Sequence, residues 1–150
     1  MKKDTRKQGR IEEIGTIRKR GPHRLRIALV YPNRYHVGMS NLGFQTVYRL
    51  FNEMASVACE RAFVDTDAGR SDAHIVTVES RRPIQAFDVI AFSISFENDF
   101  PGVLQALDSA GLPLRSQARQ HPHPLVIAGG VACCLNLETL APFIDCFLIG

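Results

Sequence analysis

The sequence predicts an α/β fold: a three-layer, doubly wound and mainly parallel sheet of the Rossmann or flavodoxin type. Apolar, β-friendly runs recur along the 150 residues and alternate with segments that have helical spacing. Runs such as LRIALVY are apolar nearly throughout, as expected of strands that are covered on both faces. Strands that alternate with helices form βαβ units, which place helices on both sides of a parallel sheet.

The first strand and the first long helix are predicted in the N-terminal half. Leu25–Tyr31 is the first strand, and Pro32 and Asn33 end it. A helix begins at about Ser40, because Ser40 or Asn41 suits the N-cap position. Apolar residues then follow at helical spacings, and these are expected to form its buried face: Leu42, Val47, Leu50, Phe51 and Met54.

The later elements follow the same alternation. Residues 58–64 are predicted as a second strand, 74–80 as a short additional strand, and 88–95 as a third main strand. A helix follows with Asp99 as its cap and Gly111 as its stop; its buried face is formed by Phe100, Val103, Leu104 and Leu107. A fourth strand (125–130), a short helix (136–143) and a fifth strand (145–150) complete the pattern. Because the pattern ends on a core strand, residues 25–150 are expected to precede a further domain.

Charge is distributed unevenly along the chain. Residues 1–26 carry a net charge of +7 and the remainder −4, within a total of +3. Residues 1–24 are therefore predicted to be a basic extension that contacts RNA or an acidic partner surface, or that is solvated and leads in from a neighbouring segment. With 45% hydrophobic and 22% charged residues and no long apolar segment, we expect a globular cytoplasmic protein that does not contact membranes.

The four cysteines do not form a known ligand motif. Cys59, Cys133, Cys134 and Cys146 match neither a zinc ribbon nor an iron–sulfur ligand run. We expect them to be reduced and mostly buried, although one of the adjacent pair could be exposed.

Four loops lie where ligands are expected, beyond the carboxyl ends of the strands: residues 32–40, 93–99 and 129–135, and the loop that would follow Gly150. In the first, His36 could coordinate a metal or transfer a proton, or it could be structural or exposed, while Gly38 would allow a tight turn or close approach of a ligand. This loop lacks the GxGxxG fingerprint, and the chain has no GxxxxGK[ST] motif, which argues against dinucleotides and nucleoside triphosphates.

The second and third loops contribute carboxylates, hydroxyls and glycines. Glu97 and Asp99 could serve acid–base chemistry or bind Mg²⁺; alternatively Asp99 caps the next helix and Glu97 is solvated. Gly129 and Gly130 would let a flat ligand lie against bare backbone, or they form a tight strand-to-helix turn.

Three stretches together resemble a known family: GMSNLGFQTVYRLFNE, FDVIAFSISFEND and PLVIAGGVACCLNLETLAPFIDCFLIG. They are similar to the cobalamin-binding-like N-terminal domain of radical S-adenosylmethionine (radical SAM) proteins, and most of all to an uncharacterised subgroup that begins with YPNRYHVGMSNLGFQ-type sequence. The resemblance spans about residues 25–150. It implies a Rossmann-like sandwich in which cofactor-binding residues lie at the strand ends: Asn33, His36, Gly38, Ser93, Ser95, Gly129 and Gly130.

The same resemblance limits the chemistry of this chain. NRYHVG departs from the Asp-x-His-x-x-Gly motif that supplies a histidine to cobalt, so cobalamin is the implied cofactor but no metal ligand is assigned. There is no CxxxCxxC motif for the 4Fe-4S cluster that works with S-adenosylmethionine, so these groups are expected in a barrel beyond residue 150.

We therefore expect an accessory, non-catalytic domain that shapes the substrate or cofactor side of a downstream radical SAM barrel. The alternative is a module that binds RNA or a protein partner through residues 1–24. A third hypothesis is a small hydrolase that uses Glu97, Asp99 or His36.

Overall fold

The computed structural model describes residues 15–19, 21–22, 25–65 and 74–150. It contains a five-stranded, all-parallel sheet in the order β2-β1-β3-β4-β5. The strands are β1 (Leu25–Tyr31), β2 (Val57–Phe63), β3 (Val89–Ser93), β4 (Leu125–Gly129) and β5 (Cys146–Leu148). The predicted fold class is confirmed, and each strand lies within two residues of its predicted start.

Four α-helices cover the sheet. They are α1 (Tyr35–Met39), α2 (Leu42–Glu53), α3 (Phe100–Ser109) and α4 (Val131–Leu135), with 3₁₀ turns at Ile84–Ala86, Glu97–Asp99 and Ser116–Ala118. We call the two sides of the sheet the α2 face and the α3 face, after the longest helix on each. In the part of the chain that the structure describes, every helix is too short or too polar to cross a membrane.

The two faces are covered to different extents. On the α3 face, residues of α3 and α4 close a continuous core with Ala28, Ile90 and Val126. On the α2 face, α2 covers Ile27, Leu29 and the other inward residues of β1. The burial pattern of β4 alternates, because Val126 and Ala128 are buried while Leu125 is half exposed. The α2 face is therefore covered near β1 and open near β4 and β5.

The packed stripe of helix α2 matches the predicted one only in part, since Val47 and Phe51 pack against the core but are partly exposed. Its buried residues are Phe44, Tyr48 and Asn52, whereas Leu42 is 78% exposed and Leu50 is 48% exposed. The spacing predicted a helix correctly, but polar Tyr48 and Asn52 are buried because partners satisfy them. Asn52, for instance, donates to the Cys59 carbonyl oxygen and accepts from the Cys59 amide.

The predicted strand over residues 74–80 is absent. The segment makes a single antiparallel bridge, Val76 to Pro83, and then turns. Its function is to cover the outer edge of β2: the Glu79 carboxylate accepts from the Arg61 amide and from Arg61 Nε, each at 2.7 Å. The Val78 amide also donates to the Arg61 carbonyl oxygen at 2.7 Å, so one backbone amide and one carboxylate occupy the edge where a neighbouring strand would otherwise pair.

The predicted helix over residues 136–143 is also wrong, because the helical turn after β4 occurs earlier, in α4. Residues 137–143 form successive turns that bury Leu140 and lead to Ile144 on the α3 face. Arg119 holds these turns in place by donating from Nη2 to the Phe143 carbonyl oxygen and to Asp145 Oδ1.

The cysteines divide equally between buried and exposed. Cys59 and Cys133 are buried, whereas Cys134 and Cys146 are exposed, and all four are free thiols. The expectation that most are buried thus holds for two of four. Burial raises the pKa of the Cys59 and Cys133 thiols above the ordinary value, so both stay protonated and weakly reactive at neutral pH.

Candidate functional site

An open cleft of about 470 Å³ lies on the α2 face, between α2 and the exposed parts of β4 and β5. Its floor is apolar, and α2 contributes Val47 and Phe51 as one wall. Its upper rim is the carboxyl edge of the sheet, where polar groups and bare backbone meet: Asn41, Ser93, Ser95, Gly129 and Gly130. A concave apolar site with a few convergent polar groups is the usual form of a small-molecule site.

Strand register explains the apolar floor. Leu29 of β1 is paired with Ala91 of β3, which in turn is paired with Ile127 of β4. Because these residues are opposite one another in register, their side chains project from the same face of the sheet. The row forms a flat apolar surface beneath the rim.

Asn41 connects the start of α2 to the loop after β3. Its Oδ1 accepts from the Phe44 amide at 2.8 Å, which is the N-cap contact predicted for Ser40 or Asn41. Its Nδ2 donates to Ser95 Oγ at 2.9 Å. One side chain therefore caps the helix and positions a hydroxyl at the rim. The capping role was predictable from the local sequence, but the contact with Ser95 joins residues that are distant in the chain.

The two glycines at the end of β4 are accommodated for different structural reasons. Gly130 has φ +111° and ψ 172°, and a Cβ there would collide with the Ile94 carbonyl oxygen. Gly129 has ordinary backbone, and a Cβ there would lie 3.2 Å from the Leu148 carbonyl oxygen. The tight strand-to-helix turn therefore requires Gly130, and both glycines leave bare backbone in the lining of the cleft.

The first-loop residues lie outside the lining of this cleft. Asn33 Nδ2 donates to Asp99 Oδ1 at 2.8 Å, and the Asn33 carbonyl oxygen accepts from the Val64 amide. His36 is exposed on α1. Gly38 is buried, and a Cβ there would lie 2.5 Å from the Phe63 ring. In the structure, Asn33 ties strand ends together and Gly38 lets α1 pack closely on the sheet.

These contacts lie at the crevice where ligands of doubly wound sheets commonly bind. The strand order reverses between β1 and β3, which makes that gap the topological switch point. The pairs Asn33–Asp99 and Asn41–Ser95 bridge it, and Gly102 lets α3 contact the Pro32 carbonyl oxygen directly. The cleft lies beside these contacts on the α2 face, and its lining includes Leu29 of β1, Asn41 and Ser95 as well as residues of β3 and β4.

The carboxylates after β3 are in unlike environments. Glu97 is exposed, whereas Asp99 is 3% exposed and is bound to Asn33. Asp99 occupies the N-cap position of α3, but its side chain makes no capping hydrogen bond, so the predicted cap contact is wrong. Across residues 15–19, 21–22, 25–65 and 74–150, no group of three or more His, Cys, Asp or Glu side chains could hold a metal ion.

The floor and wall of the cleft are parts of the candidate site that sequence reasoning missed. Leu29, Ala91 and Ile127 are predicted strand residues, and Val47 and Phe51 are predicted helix residues. Their apolar character indicated burial, which is confirmed for Leu29 and Ala91, whereas Val47, Phe51 and Ile127 are only partly buried, and no local signal shows this difference. The difference depends on where α2 lies across the sheet.

Comparison with known proteins gives a family match. Residues 43–150 match the family model described as radical SAM proteins, N-terminal. The chain is 24% identical over 124 residues to an uncharacterized protein, MJ0966, from Methanocaldococcus jannaschii; the match covers 83% of this chain and 23% of that protein. The chain therefore spans less than a quarter of that relative's length. No solved structure gives a significant match.

Proposed function

This chain belongs to the family of radical SAM N-terminal domains, and on that premise we propose that it is an accessory, non-catalytic domain whose cleft holds part of a cofactor or substrate beside a downstream catalytic domain. The observation that carries the proposal is the position of the cleft at the carboxyl edge of the sheet, where open α/β sheets bind ligands. The family implies a 4Fe-4S cluster and S-adenosylmethionine in the parent protein.

The lining favours binding over acid–base catalysis. The described residues around the cleft offer hydroxyls from Ser93 and Ser95, the Asn41 amide, and glycine backbone, and none of them is titratable. Such groups bind and orient a ligand but cannot exchange a proton with it near neutral pH. Proton transfer and radical chemistry therefore belong to the downstream domain.

Cobalamin is the ligand that we propose for the cleft. The apolar floor suits a flat heteroaromatic group, and the rim suits amide and phosphate groups, all of which cobalamin carries. Gly129 and Gly130 present backbone and no side chains to the cleft, so a ligand there could contact the peptide groups directly. Because His36 lies outside the cleft lining, the proposed mode holds the ligand without a histidine from α1.

Titration with hydroxocobalamin tests this proposal. We expect the visible spectrum of cobalamin to change and the cofactor to be retained on gel filtration. Ser93→Leu should fill the rim and weaken binding by at least about ten-fold, which corresponds to about 1.4 kcal/mol. Ser56→Leu is the matched control, because Ser56 is exposed and directly precedes β2, at the opposite end of the strands.

Two outcomes of this titration would contradict the proposal. No spectral change and no retention would exclude cobalamin. Equal binding by Ser93→Leu and the unsubstituted protein, with both folded by circular dichroism, would place the ligand elsewhere. Family membership would be unaffected in either case, since it rests on sequence.

The alternative role for the basic N-terminal residues 1–24 stays a prediction, because most of them lie outside the described residues. Within the described part, Lys19 Nζ donates to the Met54 and Val57 carbonyl oxygens, and Ile17 contacts Tyr48 Oη. Deleting residues 1–14 would spare these contacts. Loss of RNA binding on this deletion, with a steep salt dependence before it, would support the alternative; unchanged RNA binding would exclude a contact made through residues 1–14. The cytoplasmic location and the domain boundary at residue 25 also stay predictions.

A further inference from the structure

Among the residues that the structure describes, nothing covers the α2 face of the sheet over β4 and β5. There, Leu125 is 50% exposed, Leu148 is 55% exposed, Cys146 is exposed and Ile127 is half buried. Register places all four on the α2 face, because Ile127 pairs with Cys146 and Leu148 pairs with Gly129. We call these four residues the bare sheet face.

This exposure contrasts with the rest of the sheet. On β1 of the same face, Ile27 and Leu29 are 3% and 1% exposed beneath α2. Parallel sheets occur almost only with both faces covered, because their strands carry apolar side chains on both sides. The bare sheet face therefore has the properties of an interface from which the covering element is missing.

We propose that this covering element is a helix from the polypeptide that follows the domain in the longer radical SAM protein, and that it covers the β4 and β5 side of the cleft, whose lining includes Ile127 and Leu148. The inference uses the family membership on which the proposed function also rests, but it does not require cobalamin. The family describes domains at the N-terminus of longer proteins, and the matched stretch is 23% of the relative from Methanocaldococcus jannaschii.

The structure favours the α2 face over the α3 face as the surface that a following segment covers. On the α3 face, α4 and the following turns already bury Ala132, Cys133 and Leu140. A segment that leaves β5 emerges beside the bare sheet face, because Leu148 and Gly150 line the cleft. The α2 face is therefore both reachable from β5 and free of other described elements above β4.

The exposed groups of the bare sheet face favour a helix over a strand as the covering element. The bare sheet face presents apolar side chains, whereas the peptide groups of β4 are paired with β3 and β5. An added strand would need unpaired peptide groups, but an amphipathic helix needs only an apolar surface for its apolar stripe. The occupant should therefore have apolar residues at spacings of three and four on one face.

Alkylation of Cys146 reports directly on this surface. In the full-length parent protein, we expect iodoacetamide to modify Cys146 at least about ten-fold more slowly in the native state than in urea, because a covering helix blocks access. Modification at nearly the unfolded rate would overturn the proposal. Protection that disappears on dilution would also overturn it, since a second copy would then be the occupant.

Photo-crosslinking identifies the covering segment. A benzophenone side chain in place of Leu148, in the full-length protein, should crosslink to a segment of the same chain that follows residue 150. The matched control replaces Leu135, which is 78% exposed on α4 and outside the cleft lining, and should not yield that crosslink. Crosslinks from position 148 only to another molecule would exclude the intramolecular helix.

The outcomes separate this inference from the proposed function. Protected Cys146 without cobalamin binding would remove the ligand and leave the docking surface in place. Cobalamin binding with freely reactive Cys146 would exclude the covering helix and leave the proposed ligand in place.

Discussion

Replacing Gly130 with alanine tests whether this residue is required by the turn or only by a ligand. Gly130 connects β4 to α4 with φ +111° and ψ 172°, a backbone conformation that is essentially restricted to glycine. A Cβ at this position would also lie 3.0 Å from the Ile94 nitrogen and carbonyl carbon, and closer still to the Ile94 oxygen. These are backbone atoms, so they cannot move aside as a flexible side chain would.

The expected loss of stability in Gly130→Ala has two contributions. The backbone conformation costs about 1–3 kcal/mol for a residue other than glycine. Overpacking against a fixed group costs about 1–3 kcal/mol more. We expect Gly130→Ala to lower the free energy of unfolding by about 3 kcal/mol; at about 2–4 °C per kcal/mol, that lowers Tm by roughly 6–12 °C.

Urea unfolding followed by far-UV circular dichroism, without any ligand, measures this loss. Gly129→Ala is the matched control: its backbone is ordinary and its new Cβ would meet the Leu148 oxygen at 3.2 Å, on an edge strand that can shift. We expect it to change stability by less than about 1 kcal/mol. Gly130→Ala within about 0.5 kcal/mol of the unsubstituted protein would refute the reasoning, because surface substitutions free of such features have effects of that size.

Three further substitutions test contacts that hold the fold and the rim. Asn52→Ala should cost about 2–4 kcal/mol in urea unfolding, because it leaves the buried amide and carbonyl of Cys59 unpaired. Glu79→Ala should cost about 3–5 kcal/mol in the same assay, because Arg61, whose side chain is 4% exposed, loses its carboxylate partner. Asn41→Ala should cost about 0.5–2 kcal/mol through loss of the α2 cap, and it should also weaken hydroxocobalamin binding in the spectral titration, because the rim loses its amide.

Exposed residues of the same type provide the controls. Asn98→Ala and Glu138→Ala remove exposed side chains and should change stability by less than about 0.5 kcal/mol. If Asn52→Ala or Glu79→Ala is as stable as its control, the corresponding contact does not stabilise the fold. An Asn41→Ala protein that loses stability but binds hydroxocobalamin normally would show that Asn41 caps α2 without contacting the ligand.

Local sequence patterns predicted most elements because each depends on neighbouring residues. Apolar runs gave the strands, and Asn41 beside a helical pattern gave the start of α2. The misassigned segments are those where a distant partner decides the structure. Residues 74–80 have a β-friendly pattern, but Glu79 pairs with Arg61 and so takes the position that a strand would need.

The residues of the candidate site also differ in whether the sequence could predict their positions. Ser93, Ser95, Gly129 and Gly130 follow predicted strands, so their place at one edge of a parallel sheet could be predicted. His36 also follows a predicted strand, but the structure places it on exposed α1, away from the cleft. Position after a strand fixes the edge of the sheet but not the direction in which a side chain points.

By itself, the sequence determined that this protein is a parallel α/β sandwich with its polar loops at the strand ends, because hydrophobic period and turn residues act over a few positions. Only the tertiary structure decided which crevice is open. The Asn33–Asp99 and Asn41–Ser95 hydrogen bonds join the loops on either side of the switch point, and α2 covers β1 but not β4. These are relations between residues that are distant in the chain, and the physical reason is that burial depends on what packs above a strand as well as on the strand's own residues.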